Sequence, residues 1–349
     1  MLPKNLVLDE EAFPKTFDEL VELASTTFRV EHERTTLESI ALRPDGTVAT
    51  PAGEWRVTRN FLEGAAKAIE IPLHYAYKIS PDLFCENFSQ RQEDAAVPIT
   101  ISRVGEVVTG LVLDRKSRYR PASTGDVLRA VRNEFDWELR RASISFGGVD
   151  VELVLPGRMV EPALGDVIEV GVSLTNSESG DRQLKASAYS YRLSCTNGAI
   201  MSDQMGVARW PNDPRMTDAG SLRSFKNGLA TLSERLEPVA ALYLTAVERR
   251  LPDDEYYNLW RRVAYHLPRT EADDVLGLTE QERRELQQTI RERNPLESAV
   301  LTNRNVYDIH NRITHAAHGR TVGVRRSLQA VGGDLLSRAE KWPPAASLN

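Results

Sequence analysis

The sequence predicts an α+β fold: a mainly antiparallel sheet with helices on one side, followed by a helical C-terminal half. Three observations carry this. Between residues 97 and 201 apolar residues recur with period two, the repeat of half-buried strands. From 201 to 342 the period lengthens to 3.6, the repeat of helices, with breaks at prolines. At 349 residues and 41% hydrophobic content the chain can bury a full core. Its regions are an N-terminal helix and hairpin (1–56), an α+β core with a central hairpin (57–201) and a helical region packed on that core (202–342). A single continuous domain is the alternative division.

Taken in order, residues 18–26 have the spacing of a short helix through Leu20, Val21 and Leu23. Residues 28–55 read as extended pieces about Arg43-Pro44-Asp45-Gly46, whose Pro and Gly positions suit a β-turn. Phe61, Leu62, Ala65, Ala66 and Ile69 recur at helical spacing, and Pro72 and Pro81 introduce two more short helices. Residues 97–102 and 107–113 predict a hairpin about Gly105, and Ser123 with Asp126 has capping-box spacing before a helix. Residues 149–155 and 166–174 are strands, with Pro156 and Pro162 in the loop between them.

The stretch 171–201, GVSLTNSESGDRQLKASAYSYRLSCTNGAIM, organises the rest. Two strands flank a turn over 176–180, and Asn197-Gly198 would supply the positive φ of a second reversal at the opposite end of the pair. Farther on, residues 218–250 keep one apolar face from Leu222 to Val247 as a long helix, and residues 279–293 alternate Glu with Arg as an exposed, self-paired helix.

Charge and motifs narrow the chemistry. Residues 1–100 hold 10 basic and 17 acidic side chains, leaving 34 and 33 in the remainder, so the −6 net charge is N-terminal and an anionic partner would dock on later segments. The densest basic-aromatic patch is Arg115, Lys116, Arg118, Tyr119 and Arg120, the combination that lets a strand be tracked along its backbone while its bases stack. A solvated loop with Tyr119 packed down explains the same residues equally well. Arg192, Arg312, Arg325 and Arg326 are further candidates for nucleic-acid contact.

His315 and His318 share one helix face with His310 rotated off it, but no acidic residue lies between 309 and 333 to complete a ligand set. They are weak metal candidates, and neither metal nor cofactor is expected. Phosphate-loop, dinucleotide, HExxH and GxSxG patterns do not occur. Asp150 with Glu152, or Asp166 with Glu169, could serve a Mg²⁺-dependent nuclease, yet acidic pairs are common in a chain with 50 Asp and Glu. Cys85 and Cys195 alone exclude a disulfide scaffold, and Cys195 is expected to pack inward from a strand. No apolar run approaches the ~20 residues of a membrane span, and the first residues lack a basic-then-apolar leader. The expectation is a soluble cytoplasmic protein without membrane contact.

The runs TNSESG (175–180) and YRLSCTNGAI (191–200), then YDIHNRITHAAH (307–318) and RSLQAVGGDLL (326–336), resemble the phage and plasmid family known as domain of unknown function 932. The resemblance spans 55–336 and singles out the turns at Asn176, Ser177, Asn197 and Gly198. It implies a mobile-element protein without an established reaction. The expected function is a non-enzymatic accessory protein that binds DNA, single-stranded binding or annealing as a homo-oligomer being the favoured form. The alternatives are a module that recognises a host or element-encoded protein through the Asn-containing turns, and an enzyme with Asn176, Arg192 and Asn197 converging on a pocket.

Overall fold

The computed structural model describes residues 10–92, 96–114, 121–180, 182–193, 197–202, 205–211, 216–276, 278–281, 284 and 305–344. The fold is α+β. Its chain divides into two compact units, the first made of Met1–Glu152, Leu174–Ala186 and Ala208–Gly228, the second of Leu153–Ser173, Ser187–Val207 and Leu229–Asn349.

The first unit runs through β1 (Glu11–Ala12), α1 (Phe17–Ser25), β2 (Glu31–Thr36), β3 (Ala41–Leu42), β4 (Thr47–Thr50), β5 (Gly53–Val57), α2 (Arg59–Ala68), α3 (Leu73–Ala76), α4 (Pro81–Gln92), β6 (Pro98–Val104), β7 (Val107–Leu113), α5 (Thr124–Glu134) and β8 (Glu138–Ser145). Hydroxyl side chains start α1, α2 and α5: Thr16 accepts from Glu19 N at 3.1 Å, Thr58 from Phe61 N at 3.3 Å and Ser123 from Asp126 N at 3.3 Å. Six strands form one sheet in the order β2-β6-β7-β5-β4-β3, mixed because β5 runs parallel to β7. Gly105, at φ 55°, carries the expected reversal between β6 and β7. Helix α2 buries Phe61, Leu62, Ala65 and Ala66 in a core shared with Val57, Ile99, Ile101, Val108 and Leu111. A β-carbon on Gly64 would stand 2.3 Å from Leu111 O, so glycine lets helix and strand approach that closely.

Strands β9 (Gly148–Val160), β10 (Ile168–Asn176) and β11 (Lys185–Arg192) each have residues in both units, and β12 (Asn197–Ile200) and β13 (Val207–Arg209) follow. This sheet has the order β1-β8-β9-β10-β11-β12, with β13 also on β11. Three sequence expectations are corrected here. Pro156 lies inside β9, not in a loop; residues 156–159 are exposed, where a missing ladder donor is tolerated, and Gly157 beside it takes φ 76°. Asn197 and Gly198 do not form a turn but open β12, opposite Arg192 and Tyr191. Gly198 is needed for space instead, since a β-carbon there would be 1.8 Å from the Tyr189 hydroxyl oxygen.

The third correction concerns the helical region. β13 interrupts it, and the single helix expected over 218–250 is two, α6 (Asp218–Glu234) and α7 (Glu237–Val247). Pro238 falls in the first turn of α7, where its missing N–H is harmless but where continuation from α6 would clash. Helices α8 (Asp253–His266), α9 (Arg269–Leu276), α10 (Val306–Ala316) and α11 (Val322–Ser337) complete the second unit. Most of 279–293 and Cys195 lie outside the described residues, although Glu280 and Arg284 do form an i,i+4 ion pair at 3.6 Å. No helix of the described residues is long and apolar enough to cross a membrane.

Candidate functional site

The turn TNSESG, polar at nearly every position, is buried in the first unit. Asn176 is 1% exposed and Ser177 and Ser179 are 4% exposed each, so their polar groups need partners inside the protein. Asn176 Nδ2 donates to Ala122 O at 2.8 Å and to Thr124 Oγ1 at 2.9 Å. Ser179 Oγ lies 2.9 Å from Thr109 Oγ1, which itself donates to Ser102 O. Arg182 braces the base of the turn by donating to Asp150 at 3.0 Å, Thr175 Oγ1 at 3.2 Å and Gly147 O at 3.2 Å. Two glycines allow the close approach: a β-carbon on Gly110 would meet Ser179 O at 2.3 Å, and one on Gly148 would meet Asn176 O at 2.2 Å.

Glu178 is the turn's one charge. Its Oε1 accepts from Thr124 N at 2.6 Å, at the first residue of α5, where amide and helix dipole both favour an anion. Its carbonyl accepts from Ser102 Oγ at 2.9 Å. His32 stands beside both groups, Nδ1 3.2 Å from Ser102 Oγ and Nε2 3.6 Å from Glu178 Oε2.

Glu178 and His32 thereby form one wall of a cavity of about 550 Å³, whose lining also includes Arg29, Arg34, Thr100 and Pro121. The register of β2 on β6 explains why: His32 faces Ser102 and Arg34 faces Thr100, and residues two apart on a strand point the same way. Among the described residues neither Arg29 nor Arg34 has an acidic partner, whereas Glu178 is already engaged. Asp218, at the start of α6, adds one further acid to the lining. Such a wall can hold an anion through guanidinium and hydroxyl donors.

Of the residues singled out in the sequence, Arg115, Lys116, Arg118, Tyr119 and Arg120 lie outside the described residues; Pro121, which follows them, lines the cavity. Arg192, in the second unit, forms a two-point ion pair with Asp166, whose carboxylate also accepts from Tyr307 Oη. That engagement leaves its side chain 22% exposed, so it is a packing element of the second unit and not a free cation. Arg312 is exposed on α10, Arg325 is buried on α11 and Arg326 donates to Ser173 Oγ at 3.2 Å. His315 and His318 are exposed, and among the described residues no three His, Cys, Asp or Glu side chains gather in a way that could hold a metal ion. Asp150 and Glu152 face arginines, Arg182 at 3.0 Å and Arg141 at 3.9 Å. Burial pushes the Cys85 thiol up to about 11, away from nucleophilic thiolate.

Asn176 and Ser177 are sealed inside the first unit, so that turn is no surface for a protein partner. Arg29, His32, Arg34, Thr100 and Glu178 escaped the sequence reading. The one local signal was the alternation of Val30, His32 and Arg34, which reads as an ordinary solvated strand face until Thr100 and Ser102 are set beside it.

No protein family, curated protein or solved structure matches the chain. What fold and site define is a class by chemistry: an α+β protein in which a buried polar turn walls a cavity bearing two arginines without acidic partners among the described residues.

Proposed function

We propose that the protein binds nucleic acid, single-stranded DNA in the first place, as a non-enzymatic accessory protein of a mobile element. The observation that supports this most is the cavity lined by Arg29 and Arg34, two guanidinium groups with no acidic partner among the described residues, next to Pro121 at the end of the basic run 115–120. Unneutralised cations beside a run of arginine, lysine and tyrosine suit phosphates and stacked bases. The mobile-element setting rests on the resemblance of the TNSESG, YRLSCTNGAI and C-terminal runs.

The test is fluorescence anisotropy of a labelled single strand and the matching duplex over a salt series. Binding is expected to fall steeply with salt, and R29A/R34A to weaken it and to flatten its log–log salt slope by about 1.4, the share of two phosphate contacts on a single strand. An unchanged affinity and slope in that variant would remove the cavity from the interface. No binding by the wild-type protein at low salt, where the electrostatic contribution is largest, would overturn the function itself.

A further inference from the structure

Among the described residues one polar atom of the cavity wall has nothing to bond. Thr100 is 2% exposed and its Oγ1 has no hydrogen-bond partner among them, while Ser102, two residues along the same strand, is engaged by Glu178 and His32. An unmade hydrogen bond at a buried hydroxyl is costly, and such a group in a folded protein calls for an explanation. Thr100 lines the same cavity as Arg34, its register partner on β2, and Arg29.

We infer that this cavity takes a phosphomonoester, the phosphorylated end of a nucleic-acid strand, with the phosphate held by Arg29, Arg34 and the Thr100 hydroxyl. The inference rests on the nucleic-acid reading above and sharpens it. An internal phosphodiester carries one charge and has chain leaving on both sides, so it needs an open groove. A terminal phosphomonoester carries nearly two charges at neutral pH and can enter end-on. Two arginines without acidic partners among the described residues match the second charge, and a hydroxyl donor matches one of three terminal oxygens. A volume of about 550 Å³ has room for a small ligand such as one nucleotide, within the ~300–1,000 Å³ usual for such sites. His32 and Thr124 N already serve the Glu178 carboxylate, and Asp218, the other acid of the lining, forms no ion pair with either arginine, which leaves both arginines to the ligand.

The experiment compares one single-stranded sequence in three forms, with a 5′-phosphate, with a 3′-phosphate and with hydroxyls at both ends. Deoxyadenosine 5′-monophosphate is titrated separately by calorimetry. One phosphorylated form is expected to bind about tenfold tighter than the hydroxyl form, the scale of a charge-assisted hydrogen bond. T100V should cut that ratio several-fold while its melting temperature rises, and T100S should keep the ratio. The paired readouts separate a ligand hydroxyl from a structural one, since a purely structural change would not move the ratio. Equal binding of all three strands overturns the inference and leaves nucleic-acid binding standing, as does an undiminished ratio in T100V. If no strand binds, the function proposed above fails, and the mononucleotide then decides: its binding supports the phosphomonoester cavity, and its failure to bind overturns that too.

Discussion

G110A is expected to cost about 3 kcal/mol of stability or to abolish folding, the upper range for forcing atoms into a packed interior. The new β-carbon would lie 2.3 Å from Ser179 O and 2.8 Å from Ser179 Cα, both backbone atoms that no rotamer change can clear. Either β7 or the buried turn must move. Moving the turn endangers the bonds from Ser102 Oγ and Thr124 N to Glu178, from Asn176 to Ala122 O and between Ser179 and Thr109, all inside the unit. Each buried group left unpaired costs about 1–3 kcal/mol, so the disruption does not stay local. Gly323, in the first turn of α11, is the control: nothing lies within 4 Å of its β-carbon position and its φ is ordinary. G323A should change stability by no more than about +1 kcal/mol, the helix-propensity difference. Urea denaturation of the two variants checks the contrast, and a G110A protein as stable as wild type would mean that the turn is not seated against β7.

The sequence disclosed much of this fold because local chemistry sets its elements. Thr58, Ser123 and the apolar repeat of Phe61, Leu62, Ala65 and Ala66 act within one helix, and Gly105 acts within one reversal. What stayed hidden depends on distant partners. The polar composition of residues 175–179 signals an exposed turn, and only Ala122, Thr124 and Ser102, brought in from other elements, make burial affordable. Gly198 beside Asn197 carries the signature of a tight reversal, yet the constraint on it is the ring of Tyr189 on the neighbouring strand. Likewise the cavity joins β2 to β6 across about 70 residues, so nothing near Arg34 foretells Thr100. The core position of His310 is legible within one helix. Val306, Ile309, Ile313 and Ala317 mark the apolar face of α10, and His310 falls on it, which makes it a core histidine and not a member of a surface cluster.

That placement leads to an acid sensitivity of the second unit that H310Q should largely remove. His310 Nδ1 lies 2.9 Å from Gly332 O, which requires a proton on Nδ1, so Nε2 accepts from Tyr243 Oη at 3.2 Å. Tyr243 Oη in turn lies 2.5 Å from Ser190 Oγ, which donates to it. The relay thus runs Ser190 to Tyr243 to His310 to Gly332 with the imidazole neutral, and protonating Nε2 would set two donors against each other. Burial lowers the His310 pKa from 6.5 to about 4, while Asp166 and Arg192 nearby contribute smaller effects of opposite sign. In the unfolded chain this histidine titrates near 6.5, so between that value and 4 the unfolded state binds the extra proton and acid favours it. Above 6.5 neither state is protonated there and His310 adds no pH dependence. Stability therefore falls as pH drops from 6.5 to 4, by about 3 kcal/mol from this one group. H310Q carries no titratable group, and its amide can both donate and accept, so it should start less stable at pH 7.5 yet lose much less on acidification. The measurement is the difference in unfolding free energy between wild type and H310Q from pH 7.5 down to 4.5. A gap that narrows with acid supports the neutral relay, because carboxylate titration is common to both proteins and cancels. A gap that holds constant means that His310 accepts the proton in the folded protein and that the Tyr243 contact does not depend on its neutrality.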